Sequence, residues 1–241
     1  MRHLIWCALL ALAACNSGSK GEAEPAPSEQ ASASPAPRDE AAALLAGLSE
    51  PRQKGRYAPR DDCAKVAGAG EFRASLAKAV LARDVAAIAA LTSPDVRLGF
   101  GGDDGRERMV ERMSDPRDGL IGEIERLLPL GCGLNQAGDL VMPWIFAQDL
   151  GDIDGYTANL VTGEDVPLHA AADAKSAVKQ RLSWDIVELG DGPDGDLLPV
   201  VAPDGSKGFV PKAQLRSLLD YRLLASRESG AWKITAILAG D

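Results

Sequence analysis

The sequence predicts an α+β chain: a helical N-terminal body completed by a terminal β-hairpin, plus a small β-barrel placed between the two. Three observations carry this. Phe72, Leu76 and Val80 lie four apart, and Leu120, Ile121, Ile124, Leu127 and Leu128 repeat at helical spacing farther on. Beyond Tyr156, short β-type runs (TANLV, DVPLH, VKQRL, WDIVEL, LLPVV, GFV) alternate with turns, the spacing of a small barrel. Finally, 221–227 and 231–238 alternate apolar and polar around Glu228-Ser229-Gly230, which reads as a hairpin.

Residues 1–14 carry Arg2 and then an uncharged apolar run, Leu4 to Ala14. That layout is a secretory signal, too short to span a membrane as a mature helix. Residues 15–60 read as a flexible tether. Ser, Ala, Pro, Glu and Gly dominate 16–41, which holds no large apolar residue and cannot offset its ordering entropy by burial. A brief helix fits AAALLAGL (41–48), but 51–60 return to charge and proline, so the folded part is placed from Asp61.

The body is expected over 61–155. Asp84 caps a second helix carrying Val85, Ile88 and Leu91, and Pro94 ends helical order. A strand follows at VRLGF (96–100), a turn at GGDDG (101–105), and a third helix over Arg106–Met113 that Asp115-Pro116 stops. The fourth helix starts after Asp118 and ends at Pro129 and Gly131. LVMPWIFAQ (140–148) is buried or extended, and Pro143 argues against a central strand there. The barrel takes 156–217, and the hairpin of 218–241 completes the body.

The chain carries 26 basic and 35 acidic side chains, a net charge of −9, and Arg2 is the one charged residue of the signal. Such a surface repels nucleic acid. Of two histidines, His3 leaves with the signal, so His169 stands alone and a Ser-His-Asp or His-rich metal site is strained. No cofactor or metal is expected. GFGGDDG (99–105) lacks the lysine of a phosphate loop. Asp149, Asp152 and Asp154, aligned on Gly155, leave Leu150 and Val161 where a calcium loop needs oxygen ligands. Asp191, Asp194 and Asp196 read as a hairpin turn. Catalysis would rest on carboxylates, and Glu123 and Glu125 with Asp103 and Asp104 are the candidates for an acid–base pair in a pocket of the body. Exposed helix and turn charges are the plainer reading of all four.

Leu12-Ala13-Ala14-Cys15 resembles a bacterial lipobox. The resemblance implies cleavage before Cys15, a diacylglyceryl group on its sulfur, and a folded part held in the periplasm by a lipid anchor. Asn16, rather than aspartate, tilts sorting toward an outer membrane. With Cys7 discarded and Cys15 acylated, Cys63 and Cys132 remain in an oxidising setting and are expected to form a disulfide, a free thiol pair being the alternative.

Val166–Ala170, Val178, Leu182, Trp184–Leu189, Leu197–Val201 and the ending Gly208-Phe209-Val210-Pro211-Lys212-Ala213-Gln214-Leu215 resemble a bacterial SH3-like domain. Leu197 or Leu198, Phe209 and His169 stand where the family commonly has tryptophan, tryptophan or tyrosine, and arginine. The resemblance implies binding of cell-wall (peptidoglycan) peptides or an envelope protein, or packing against a neighbouring domain. His169, Trp184 and Phe209 are the ligand-binding candidates. The remainder, with Gly230-Ala231-Trp232-Lys233-Ile234 in its last strand, resembles the cone-shaped fold of nuclear-transport-factor-2 type, in which a curved sheet wraps a long helix. The expected function is a non-enzymatic envelope lipoprotein that binds through its SH3-like part.

Overall fold

The computed structural model describes residues 37–46, 54–192 and 194–240. The expected signal of 1–14, the expected lipid site at Cys15 and, of the tether expected over 15–60, residues 16–36 and 47–53 lie outside the described residues.

Among the described residues, five α-helices and twelve strands form, and they follow the sequence periodicity closely at the helical end. In α1 (Pro37–Ala46), Ala41 is buried, and Leu44 and Leu45 pack on the main core. The next helix, α2 (Ala69–Leu81), buries Phe72, Leu76 and Val80 on one face. Asp84 accepts the backbone N–H of Ala87 at 2.9 Å and so caps α3 (Val85–Ala90). Met109 and Met113 of α4 (Arg106–Ser114) are buried. So are Leu120, Ile121, Ile124 and Leu127 of α5 (Leu120–Leu127), which Pro129 then turns into a 3-10 turn. Each such aliphatic side chain contributes roughly 1.5–3 kcal/mol when fully buried.

These helices cover a five-stranded sheet of order β1-β12-β11-β3-β2. Its strands are β1 (Thr92–Arg97), β2 (Gly133–Leu134), β3 (Leu140–Met142), β11 (Arg222–Glu228) and β12 (Ala231–Leu238). The terminal hairpin β11–β12 pairs antiparallel, while β1 lies parallel to β12, with Thr92 opposite Ile234. Between β3 and β11 the chain builds a second sheet. It comprises β4 (Ala158–Val161), β5 (Val166–His169), β6 (Val178–Leu182), β7 (Ile186–Leu189), β8 (Leu197–Val201), β9 (Lys207–Pro211) and β10 (Leu215–Ser217). The order is β10-β4-β7-β8-β9-β5-β6.

Side-chain alternation gives the second sheet two buried faces near β4 and β7. Val161 and Val187 join Val166, Leu168, Val200 and Val210 in a core that belongs to this sheet alone. Leu160 and Ile186 point the other way, into a cluster with Tyr57, Ile145, Trp184 and Leu218. That second cluster seats the sheet against the rest of the chain.

Cys63 and Cys132 are fully buried and at disulfide distance, with Cα atoms 5.7 Å apart. Beside them Asp61 forms an isolated bridge with Cys132 and pairs with the buried guanidinium of Arg73. Gly131 permits this approach: a Cβ there would sit 2.3 Å from the Arg60 carbonyl oxygen.

Four expectations change. The strands expected as a small barrel form an open sheet whose end strands, β10 and β6, do not pair with each other; within it β5 bulges between Leu168 and His169 and joins β9 through the pair His169–Phe209. Strand β6 is left as an edge, blunted by exposed Lys179 and Arg181. The strand expected over 96–100 instead spans Thr92–Arg97 and contains Pro94, which an edge strand tolerates. The folded part begins before Asp61, since Tyr57 and Ala58 are buried against the second sheet. His169, a ligand-binding candidate in the sequence, ends β5 and is buried, at 5% exposed.

Candidate functional site

The outer face of the second sheet is built by residues that alternate with its core. Val187, Val200 and Val210 point inward, so Ile186, Glu188, Pro199, Val201, Lys207 and Phe209 are left for the other side. Strand register sets them in rows. Glu188 faces Val201, which faces Lys207; Pro199 faces Phe209, which faces His169.

Two grooves open on this face and meet at Val201. The first, about 470 Å³, has Tyr57, Ile186, Val201 and Pro203 as its apolar lining, with Ile153 at one side. Its charged lining is Arg56, Asp185 and Glu188. The second, about 330 Å³, lies between Ala170, Pro199, Val201 and Phe209, with Asp191 and Lys207 also lining it.

Segments outside the sheet complete the first groove. The segment from Gly55 to Ala58 crosses the turn between β6 and β7, where the Tyr57 N–H donates to the Trp184 carbonyl at 3.1 Å. Gly55 fits because it has no side chain: a Cβ would stand 1.9 Å from the Ser183 carbonyl oxygen, and its φ is +116°. Arg56 lies 5.2 Å from the Tyr57 ring centroid. The loop bearing Ile153 is held by its own aspartates, Asp149 accepting from Gly151 N–H at 2.9 Å and Asp154 from Tyr156 N–H at 3.0 Å. Tyr156, 69% exposed, stands at its end.

The first groove is acidic. Glu188 is exposed and has no side-chain partner among the described residues. The Asp185 carboxylate accepts one N–H, from Ser183 at 2.9 Å. Asp204 sits on the turn between Pro203 and Gly205, and its carboxyl is held below the usual range by hydrogen bonds from Ser206, the backbone N–H first.

The three residues singled out in the sequence separate. His169 and Phe209 are cross-strand partners, Phe209 forming part of the second groove and His169 buried with Nδ1 3.4 Å from the Ser176 carbonyl oxygen. Trp184 is 7% exposed in the cluster that also holds Tyr57 and Ile186, with φ +51° and its Nε1 unpartnered. It therefore lies in the packing behind the first groove. Arg56 and Tyr57 were not legible as site residues, because the Trp184 turn that seats them lies far along the chain, and Ile153 carries no local mark of its place in the groove. The aromatic ring of Tyr57 in an otherwise charged, proline-bearing stretch was the one signal.

The carboxylates considered for acid–base work each have another engagement. Glu123 pairs with Arg126, Glu125 with Arg83, and Asp103 with Arg108. Asp104 accepts the Leu98 N–H at 2.7 Å and shapes the glycine-rich turn after β1. Among the described residues, no group of three or more His, Cys, Asp or Glu could hold a metal ion. No helix of the described residues is long and apolar enough to cross a membrane.

No family model matches the chain, and no curated protein matches it. A solved NTF2-like designed protein is similar at 13% identity over 69% of this chain and 90% of its own, with a TM-score of 0.26. At that score the likeness carries no weight for the fold.

Proposed function

We propose that this protein is a cell-envelope lipoprotein whose outer sheet face binds a wall peptide or an envelope protein. The observation that carries the reading is the pair of grooves meeting at Val201, on a sheet with its own core and a second apolar seat against the body. A groove lined by Pro199, Val201 and Phe209 offers rigid apolar contact at small entropic cost.

The finer assignments belong to the same proposal. The second sheet is read as an SH3-like module, and Gly208–Leu215 as its characteristic ending, which here makes β9, a short 3-10 turn and the start of β10. The five-stranded sheet and its helices are read as a body of the nuclear-transport-factor-2 type with the module inserted before its last hairpin. Leu12–Cys15 is read as the lipobox that anchors the whole, with the folded part in the periplasm.

The test is site-specific photo-crosslinking in cells, with a benzophenone amino acid at Phe209 and, as reference, at Leu134, an exposed residue of the other sheet. Adducts to wall peptide or to a defined envelope protein from 209 and none from 134 support the reading. Adducts from 134 with none from 209 overturn it.

A further inference from the structure

We infer that the first groove receives a lysine or arginine side chain, flanked by apolar residues, from a segment of a partner protein. The inference rests on the reading of this sheet face as the binding surface and names what that surface recognises.

Three features of the groove set the chemistry. Its apolar lining, Tyr57, Ile186, Val201 and Pro203, suits the methylene stem of a long cationic side chain, which buries its stem while its head keeps polar company. Its unspent acceptors are carboxylates: Glu188 has no side-chain partner among the described residues, and the Asp185 carboxylate accepts one N–H there, from Ser183. Beside it lies Asp204, on the turn between the lining residues Pro203 and Gly205. Against these the groove holds one cation, Arg56, which lies over the Tyr57 ring and forms no ion pair among the described residues. The whole chain carries a net charge of −9, so a cationic partner is also steered toward it.

The occupant is therefore a basic, partly apolar protein segment. An acidic segment would leave Glu188 and Asp185 facing like charge, and a purely apolar one would cover them without a partner.

The experiment records amide chemical shifts of the isotope-labelled mature chain against acetyl-Pro-Leu-Lys-Leu-Pro-amide and its glutamate counterpart. The lysine peptide is expected to shift residues 56–57, 185–188 and 201–205, and to bind about tenfold more tightly than the glutamate peptide, with the gap closing at high salt. Glu188→Gln is expected to weaken the lysine peptide about fivefold while leaving the melting temperature unchanged, since the side chain is exposed and unpartnered. Equal affinity of the two peptides, or no effect of E188Q, overturns the inference. Shifts confined to 199 and 207–209 overturn it while leaving the outer-face reading standing. Shifts confined to residues that line neither groove, or none at any residue, overturn both.

Discussion

The backbone N–H of Tyr57 donates to the carbonyl of Trp184 at 3.1 Å. That one bond ties the segment after α1 to the turn between β6 and β7, and it places the Tyr57 ring at the edge of the first groove. The groove is therefore composite: most of its lining comes from the second sheet and its turns, with Arg56 and Tyr57 supplied by the segment between α1 and α2 and Ile153 by the loop before β4.

Gly55→Ala tests this strap. Its Cβ would meet the Ser183 carbonyl oxygen at 1.9 Å, and its φ of +116° is costly for any side chain. The variant is expected to lose about 2 kcal/mol of unfolding free energy by urea titration. Amide shifts should move at Tyr57, Ser183 and Trp184. An unchanged midpoint would show that the strap is not seated as described.

Asp61 and Arg73 form a buried pair, at 5% and 2% side-chain exposure, and Arg73 Nε and Nη2 and Asp61 Oδ1 have no further partner among the described residues. Asp61→Asn removes the countercharge that Arg73 has among the described residues and is expected to cost about 3–5 kcal/mol. Arg73→Met combined with Asp61→Leu should recover most of that loss, because neither charge is then buried. A double variant as unstable as D61N contradicts this account.

The Cys63–Cys132 bridge spans 69 residues and ties the entry of the helical region to its exit. Closing a loop of that length stabilises by roughly 4 kcal/mol in the chain-entropy model. Reduction under native conditions should be slow, since both residues are fully buried. The C63A/C132A variant should melt well below the parent. Two reactive thiols in the unreduced, denatured protein would refute the bridge.

Asp204 is expected to titrate below an ordinary aspartate, chiefly because the Ser206 backbone N–H hydrogen-bonds its ionised form. Its folded pKa lies below its unfolded value, so its contribution to stability is present above the ordinary aspartate range. That contribution is lost as pH falls through the depressed value. Carboxyl carbon shifts followed by NMR from neutral pH downward check this; a midpoint above the ordinary range contradicts it.

The helical half of the chain was legible because its signals are local. Phe72, Leu76 and Val80 share a face whatever they pack on, Asp84 needs only the N–H of Ala87, and the β11–β12 hairpin is closed by its own turn. What escaped was set by distance in sequence. The parallel pairing of Thr92 with Ile234 leaves no local mark, and it draws β1 upstream through Pro94. Tyr57 and Ala58 sit in a stretch whose composition reads as tether, and only the Trp184 turn explains their burial. His169 and Phe209 were singled out from the resemblance to SH3-like domains. Their cross-strand pairing, and the burial of His169 beneath it, depended on a bulge that the sequence does not announce.

The most direct measurement takes the partner captured by crosslinking from position 209 and determines its affinity for Val201→Lys, alongside the melting temperature. Val201 belongs to both grooves and is only partly buried, so a lysine there obstructs the face without opening the core. The account predicts a melting temperature close to the parent and an affinity at least about tenfold weaker. Parent-like affinity in the folded variant would contradict it and place the binding surface elsewhere on the chain.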